Sequence, residues 1–155
     1  MPIGDKITRM ANTHKDFPDR LPKKPSINGF LSALKFGPDG LVTVVAQDAK
    51  SGAVLMLAHA NRNALLRSLK TGYMHYFSRS RTKLWKKGED SGHVQKLVSL
   101  TVDCDGDAIL AQVRQRKASC HMGFQSCFSF RLALGGRLKV IGKKVFDLLK
   151  VYRKK

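Results

Sequence analysis

The sequence predicts an α+β fold, mainly antiparallel strands with few helices. Three observations point there. Several short apolar runs are separated by turn residues, one segment alone has a helical period with a cap at each end, and an Asp-Gly dipeptide sits between two strand-like runs. A chain of 155 residues suits one domain, and 43% hydrophobic content supplies a core without disulfide staples.

Each element has a local reason. Residues 41–46 (LVTVVA) form an unbroken β-branched and aliphatic run, which reads as a buried strand. Lys50-Ser51-Gly52 turns the chain into a second strand over residues 53–58, completing a hairpin. A short helix follows, with Asn61 as N-cap, Leu65, Leu66 and Leu69 on one face, and Gly72 as its stop. Residues 74–78 read as a strand and 79–93 as a polar loop. Residues 97–103 and 108–114 are two more strands, joined through Asp105-Gly106, a strong hairpin-turn signal. Residues 127–134 alternate like a strand, 138–141 extend the sheet, and the basic tail over 143–152 is compatible with a helix. Residues 1–27 mix charges with Pro18, Pro22 and Pro25 and show no apolar period. They read as a basic, flexible N-terminal arm, with 28–155 as the single folded domain.

Composition narrows the setting. No apolar run approaches the roughly 20 residues of a membrane span, and the N-terminus lacks a secretory apolar region. Asp5, Asp16 and Asp19 argue against a transit peptide, so a cytoplasmic protein is expected. The 29 Lys+Arg against 11 Asp+Glu give a net charge of +18, a surface that attracts nucleic acid, anionic lipid or phosphorylated small molecules without choosing among them.

The chemistry-bearing residues fall in three strings. Asp103, Asp105 and Asp107 crowd a tight turn, where like charges raise one another's pKa unless a cation such as Mg²⁺ sits among them. Ala108 and Arg114 stand where a calcium loop beginning at Asp103 needs Gly and Glu, which rejects that reading; a solvated Asp-Gly turn stays open. Cys104, Cys120 and Cys127 are an odd set of thiols without an export signal. They suit a metal or catalysis better than a disulfide, although ordinary buried thiols remain an alternative. Three thiolates would leave one tetrahedral position open, the pattern of catalytic zinc; His121 beside Cys120 would serve as fourth ligand or as acid/base, although a hydrogen-bonded structural residue is the commoner role of a lone histidine and stays open. The H-x-E and P-C-x-x-C signature of zinc deaminases is missing. Finally, Arg79, Arg81, Lys83, Lys86 and Lys87 surround Trp85 and are followed by Ser91, Gly92 and His93. That set can grip phosphates and stack a base, or simply be a charged loop packed over its Trp.

At these residues the sequence resembles the phosphoribosyl-AMP cyclohydrolase family of histidine biosynthesis. The matching strings are GLVTVVAQD (residues 40–48), VLMLA (54–58), SRSRTKLWKKGEDSGH (78–93), DCDGDA (103–108) and CHMGFQSCF (120–128), with a fainter echo in KVFDLLKVY (144–152). Met122, Gln125 and Asp90 depart from the family's usual Thr, Arg and Thr or Ser. The resemblance implies an intertwined homodimer with zinc held by Cys104 of one subunit and Cys120 and Cys127 of the other. It makes Asp103, Asp105 and Asp107 a magnesium site. The implied substrate is the nucleotide N1-(5-phosphoribosyl)-AMP, whose N1–C6 bond is opened by zinc-activated water while magnesium assists binding. Arg79, Arg81, Trp85, Lys87, Ser91 and Gly92 would hold the substrate, and His121 and His93 would move protons. No membrane partner is expected. A nucleic-acid-binding module with structural zinc is the less favoured alternative, its support being the basic tails.

Overall fold

The computed structural model describes residues 20–24 and 26–147. In chain order its elements are α1 (Ile27–Ala33), β1 (Leu41–Asp48), β2 (Val54–Asn61), α2 (Arg62–Thr71), β3 (His75–Ser78), β4 (Lys83–Lys86), β5 (Gln95–Val102), β6 (Ala108–Gln115), β7 (Phe130–Leu132) and β8 (Leu138–Val140). The expected α+β class holds. The central sheet runs β2-β1-β6-β5, and the hairpins β1–β2 and β5–β6 are each antiparallel. They meet along a parallel β1–β6 pairing that places Val44 beside Ile109.

Alternation decides which face is covered. Val42, Val44 and Ala46 of β1 are buried, as are Ile109, Ala111 and Val113 of β6, while the residues between them are half-buried. Leu31 and Ala33 of α1 and Ala64 and Leu65 of α2 join these strand residues in one core. Each large aliphatic side chain buried there is worth about 1.5–3 kcal/mol, so this face orients the whole sheet. Helix α2 forms as its caps dictate: Asn61 Oδ1 accepts from the Ala64 amide at 2.8 Å, and Gly72 takes φ 72° while its N–H donates to Ser68 O. Helix α1 was not expected. Seven residues are too few to display a period, although Ser26 Oγ caps it by accepting from the Gly29 amide at 3.0 Å.

Three expectations need correction. The stretch 79–93 is not all loop: β4 pairs with β3, setting Trp85 opposite Tyr76 with ring centroids 5.3 Å apart. Half-buried Leu84 and Trp85 pack on the core and drive that pairing. The strand expected over 127–134 shrinks to β7, and β8 pairs with it in a separate two-stranded sheet, so 138–141 do not extend the main one. Every residue of this hairpin is exposed, so the core does not recruit it. Residues 143–147 are not helical; Lys144 bridges to Phe124, and the rest of the expected tail helix lies outside the described residues. Most of the expected arm over 1–27 also lies outside them. Among the described residues, no helix is long and apolar enough to cross a membrane.

Candidate active site

The acidic turn is built by the chain reversal between β5 and β6. Asp103 Oδ1 accepts from the amides of Gly106, Asp107 and Ala108 at 3.0, 3.1 and 3.1 Å. Gly106 adopts φ 82°, and its carbonyl accepts from the Lys35 amide at 2.8 Å. Arg20 donates to the Asp105 carbonyl. The ligand oxygens of Asp103, Asp105 and Asp107 lie within 4.8 Å of one another, and all three residues are exposed. Burial raises the Asp103 carboxyl, but hydrogen bonds from the Ala108 and Gly106 amides and with Asp107 and Asp105 outweigh it and hold the pKa low. Asp107 is pushed the other way by burial, then by the charges of Asp105 and Asp103, with Lys35 opposing. A hard divalent cation suits this donor set, because it would remove the repulsion Asp107 feels while Asp103 Oδ1 keeps the turn closed.

The second thiol-bearing segment lies beyond the far end of β6. Cys120 is buried and Cys127 exposed, and neither is in a disulfide. A tight turn joins Cys120 to Phe124 (Cys120 N to Phe124 O, 3.1 Å), and the Cys127 amide donates to Leu55 O at 2.7 Å, tying the segment to the start of β2. Although Cys127 is exposed as a residue, its thiol is partly desolvated. That raises its pKa, the charge of Cys120 and a hydrogen bond with it add to the rise, and the Lys87 ammonium opposes. Lys87 is thus turned inward, its Nζ donating to Ser119 O at 2.7 Å, and burial lowers its pKa while Cys127 and Cys120 pull it up. The Ser119 hydroxyl is buried and makes no hydrogen bond of ordinary geometry, yet it lies against the Cys127 thiol and lowers its pKa. A thiol pair with an adjacent ammonium and a buried hydroxyl fits a thiolate-bound metal, since thiolates would accept hydrogen bonds from both groups.

Cys104 does not join them within one chain. It is exposed in the acidic turn, and the eight residues of β6 separate that turn from the thiol segment. Seven strand steps span about 23 Å. Among the described residues, the aspartate trio is the only group of three His, Cys, Asp or Glu gathered closely enough to share an ion.

The two expected proton carriers differ. His93 is 4% exposed, its ring meets Phe146 edge-on at 4.7 Å, and its pKa is lowered by burial and then by Lys117, Lys87 and Arg116. His121 is exposed beside Cys120. Of the expected substrate ligands, Arg79 and Arg81 are exposed after β3, with the Arg81 guanidinium 6.0 Å from the Trp85 ring centroid. Ser91 Oγ accepts from the His93 amide at 3.3 Å, and Gly92 N donates to Gly88 O. Beyond the sequence reading, His59 on β2 is half-buried with a pKa lowered by burial and by Arg79, against Asp39. Ser119 was also missed; its hydroxyl is distinguished only by its burial. A cleft of about 750 Å³ opens at the thiol end of the sheet, where Asp48, Lys50, Gln112, Arg114 and Gln125 line it.

Comparison with known proteins points to one family. The phosphoribosyl-AMP cyclohydrolase family profile matches residues 56–129, which hold the acidic turn, all three thiols and the basic loop. A phosphoribosyl-AMP cyclohydrolase of Methanococcoides burtonii is 51% identical over 122 residues, covering 79% of this chain and 98% of that protein. One from Methanospirillum hungatei is 50% identical over 127 residues, 82% of this chain and 94% of its own length. The histidine biosynthesis bifunctional protein HisIE of Thermoanaerobacter pseudethanolicus is 49% identical over 126 residues, which make up 58% of that longer protein. With half its aligned residues identical to relatives that it covers almost end to end, the chain belongs to the phosphoribosyl-AMP cyclohydrolase family.

Proposed function

We propose that the protein hydrolyses the N1–C6 bond of the adenine ring in N1-(5-phosphoribosyl)-AMP, opening the ring to the formimino-imidazolecarboxamide ribotide of histidine biosynthesis. The observation that carries this reading is the meeting of Cys120, Cys127, Lys87, Ser119 and a desolvated His93 around one end of the sheet. Cys120 and Cys127 would hold zinc with Cys104 of a second subunit, and Asp103, Asp105 and Asp107 would hold magnesium. When bound, zinc supplies an acidified water and magnesium supplies charge neutralisation for phosphate.

The chain's own residues do the rest. N1-alkylation makes the substrate ring cationic, so C6 accepts a nucleophile. His93, kept neutral near pH 7 by its desolvation and by the cations around it, is suited to take a proton from the attacking water. His121, exposed beside Cys120, can return one to N1. Arg79 and Arg81, both exposed, would grip phosphate, the exposed part of half-buried Trp85 would stack on a base, and the backbone at Ser91 and Gly92 would close on the anion. Lys87 would offset the negative charge of the thiolates as well as that of the substrate.

Two exposed features support the two-subunit arrangement. The 23 Å scale of β6 keeps Cys104 from its own chain's thiol pair. Phe128, Phe130, Leu132, Leu138 and Val140, each more than half exposed, flank Cys127 with an apolar surface that a second copy would cover. A cytoplasmic setting would keep the thiols reduced. A spectrophotometric assay with phosphoribosyl-AMP, before and after zinc chelation, tests the reading. Turnover that disappears on chelation and returns with zinc is expected; turnover unchanged in zinc-free protein would overturn it.

A further inference from the structure

Beneath the thiol segment lies a chain of side-chain amides that the reaction does not use. Tyr76, on β3, is fully buried and its hydroxyl donates to Gln95 Oε1 at 2.6 Å. Gln95, on β5 and also fully buried, donates from Nε2 to Gln115 Oε1 at 2.9 Å. Gln115 is its register partner on β6. Its Nε2 then faces four backbone carbonyls: Arg116 at 2.9 Å, His93 at 3.2 Å, Ala118 at 3.3 Å and Val94 at 3.4 Å.

The direction of this chain is forced. Carbonyl oxygens accept and cannot donate, so the group that Gln115 shows them must be its NH₂. Its Oε1 therefore faces Gln95, which must present its own NH₂, and Gln95 Oε1 is left to receive the tyrosine proton. Reversing either amide would set oxygen against oxygen in a buried site. The carbonyls so held belong to the segment leading into Cys120 and to His93 itself.

We propose that the Tyr76–Gln95–Gln115 chain is the positioning device for the thiol segment. It fixes the approach of Cys120 to Cys127, and it fixes His93 through the same amide. Gln115 is the positioning residue, because of the three side chains it alone touches both backbone segments, adding to the Arg116 amide that donates to Val94 O at 2.9 Å. In its consequence for metal the assignment rests on the thiols being zinc ligands; in its consequence for Cys120 it does not.

The test uses the full-length protein with Gln115→Met and Gln115→Glu. Met keeps the volume without polar atoms; Glu keeps the acceptor for Gln95 but has no N–H for the carbonyls. Ser99→Ala is the control, since Ser99 Oγ donates to Gln112 Oε1 at 3.0 Å and so also links β5 to β6, without touching the backbone that leads into Cys120 or His93. Alkylation of Cys120 in metal-free protein, followed by mass spectrometry, is expected to accelerate about tenfold in both Gln115 variants and to be unchanged in Ser99→Ala. Zinc affinity, by chelator competition, is expected to fall on the order of 10- to 100-fold, with an altered Co²⁺ spectrum. If Gln115→Met does not fold, Tyr76→Phe carries the comparison, with a smaller acceleration expected. Folded Gln115 variants that alkylate at the parental rate, or a Ser99→Ala protein that accelerates equally, would overturn the proposal. A parent that binds no zinc, with Cys120 still loosened in the Gln115 variants, would overturn the metal reading and leave the positioning role standing.

Discussion

Replacing Gly88 by Ala perturbs the site through the backbone alone. Gly88 follows β4 with φ 79°, and a Cβ there would stand 2.5 Å from the His93 carbonyl carbon, 2.6 Å from Val94 N and 2.7 Å from His93 O. Those neighbours are backbone and cannot swing aside. Moving from 2.5 Å to an ordinary contact of 3.4 Å requires a retreat of about 0.9 Å. The positive φ costs a residue with a Cβ about 1–2 kcal/mol, and the forced overlap about 1–3 kcal/mol more. Gly40→Ala separates the two effects, because Gly40 has φ 72° with nothing within 4 Å of the added Cβ. Urea unfolding should therefore show a loss of about 1–2 kcal/mol for Gly40→Ala and about 2–5 kcal/mol for Gly88→Ala. With His93 displaced by nearly an ångström, kcat on phosphoribosyl-AMP should fall on the order of 100-fold in Gly88→Ala. Equal stability losses in the two variants, with kcat unchanged in Gly88→Ala, would refute the claim that this close approach holds His93 in place.

Three further outcomes follow from the site. Asp105→Asn or Asp107→Asn should raise the magnesium concentration needed for half-maximal turnover while leaving zinc content intact by atomic absorption; a loss of zinc instead would place these carboxylates elsewhere in the mechanism. Ser119→Ala removes a buried hydroxyl that makes no hydrogen bond of ordinary geometry and lies against the Cys127 thiol, so the metal-free protein should gain about 1 kcal/mol in urea unfolding while zinc affinity falls; a gain in both would remove Ser119 from the thiolate environment. His93 has a pKa held below 6.5 by burial and then by Lys117, Lys87 and Arg116. The unfolded chain gains a proton near 6.5 that the folded chain resists. The stability present above pH 6.5 is therefore lost as pH falls below it, and metal-free His93→Gln should show a shallower loss between pH 7.5 and 5.5 than the parent.

Local signals were readable and non-local ones were not. Asn61 and Gly72 bracket α2 as their cap chemistry requires, and Lys50-Ser51-Gly52 and Asp105-Gly106 both close hairpins. The β1–β6 pairing joins strands sixty-odd residues apart and leaves no mark on either. Strand β4 was hidden because lysines flank Leu84 and Trp85, and the charge pattern reads as loop. The opposite error arose at 127–134, where alternation suggested a strand of eight residues and the core, which does not cover this stretch, leaves only the three of β7. The acidic turn and the thiols were visible as residue types, yet Lys87 turning from the basic loop toward the thiols was not. Nor did Gln95 and Gln115 stand out, since an isolated glutamine on a strand looks like surface until the register sets the two side by side.

The central claim is that one chain supplies Cys104 and another supplies Cys120 and Cys127. Mixing Cys104→Ser with Cys120→Ser tests it most directly, each variant being inactive alone. In a mixed dimer one site has both serines, and the other has three intact thiols. Unfolding and refolding the two together at equal concentration makes half the dimers mixed, so about a quarter of the parental sites should regain zinc and turnover. Mixed dimers that form, as shown by tag-based capture of both variants, and yet regain neither would contradict the shared site.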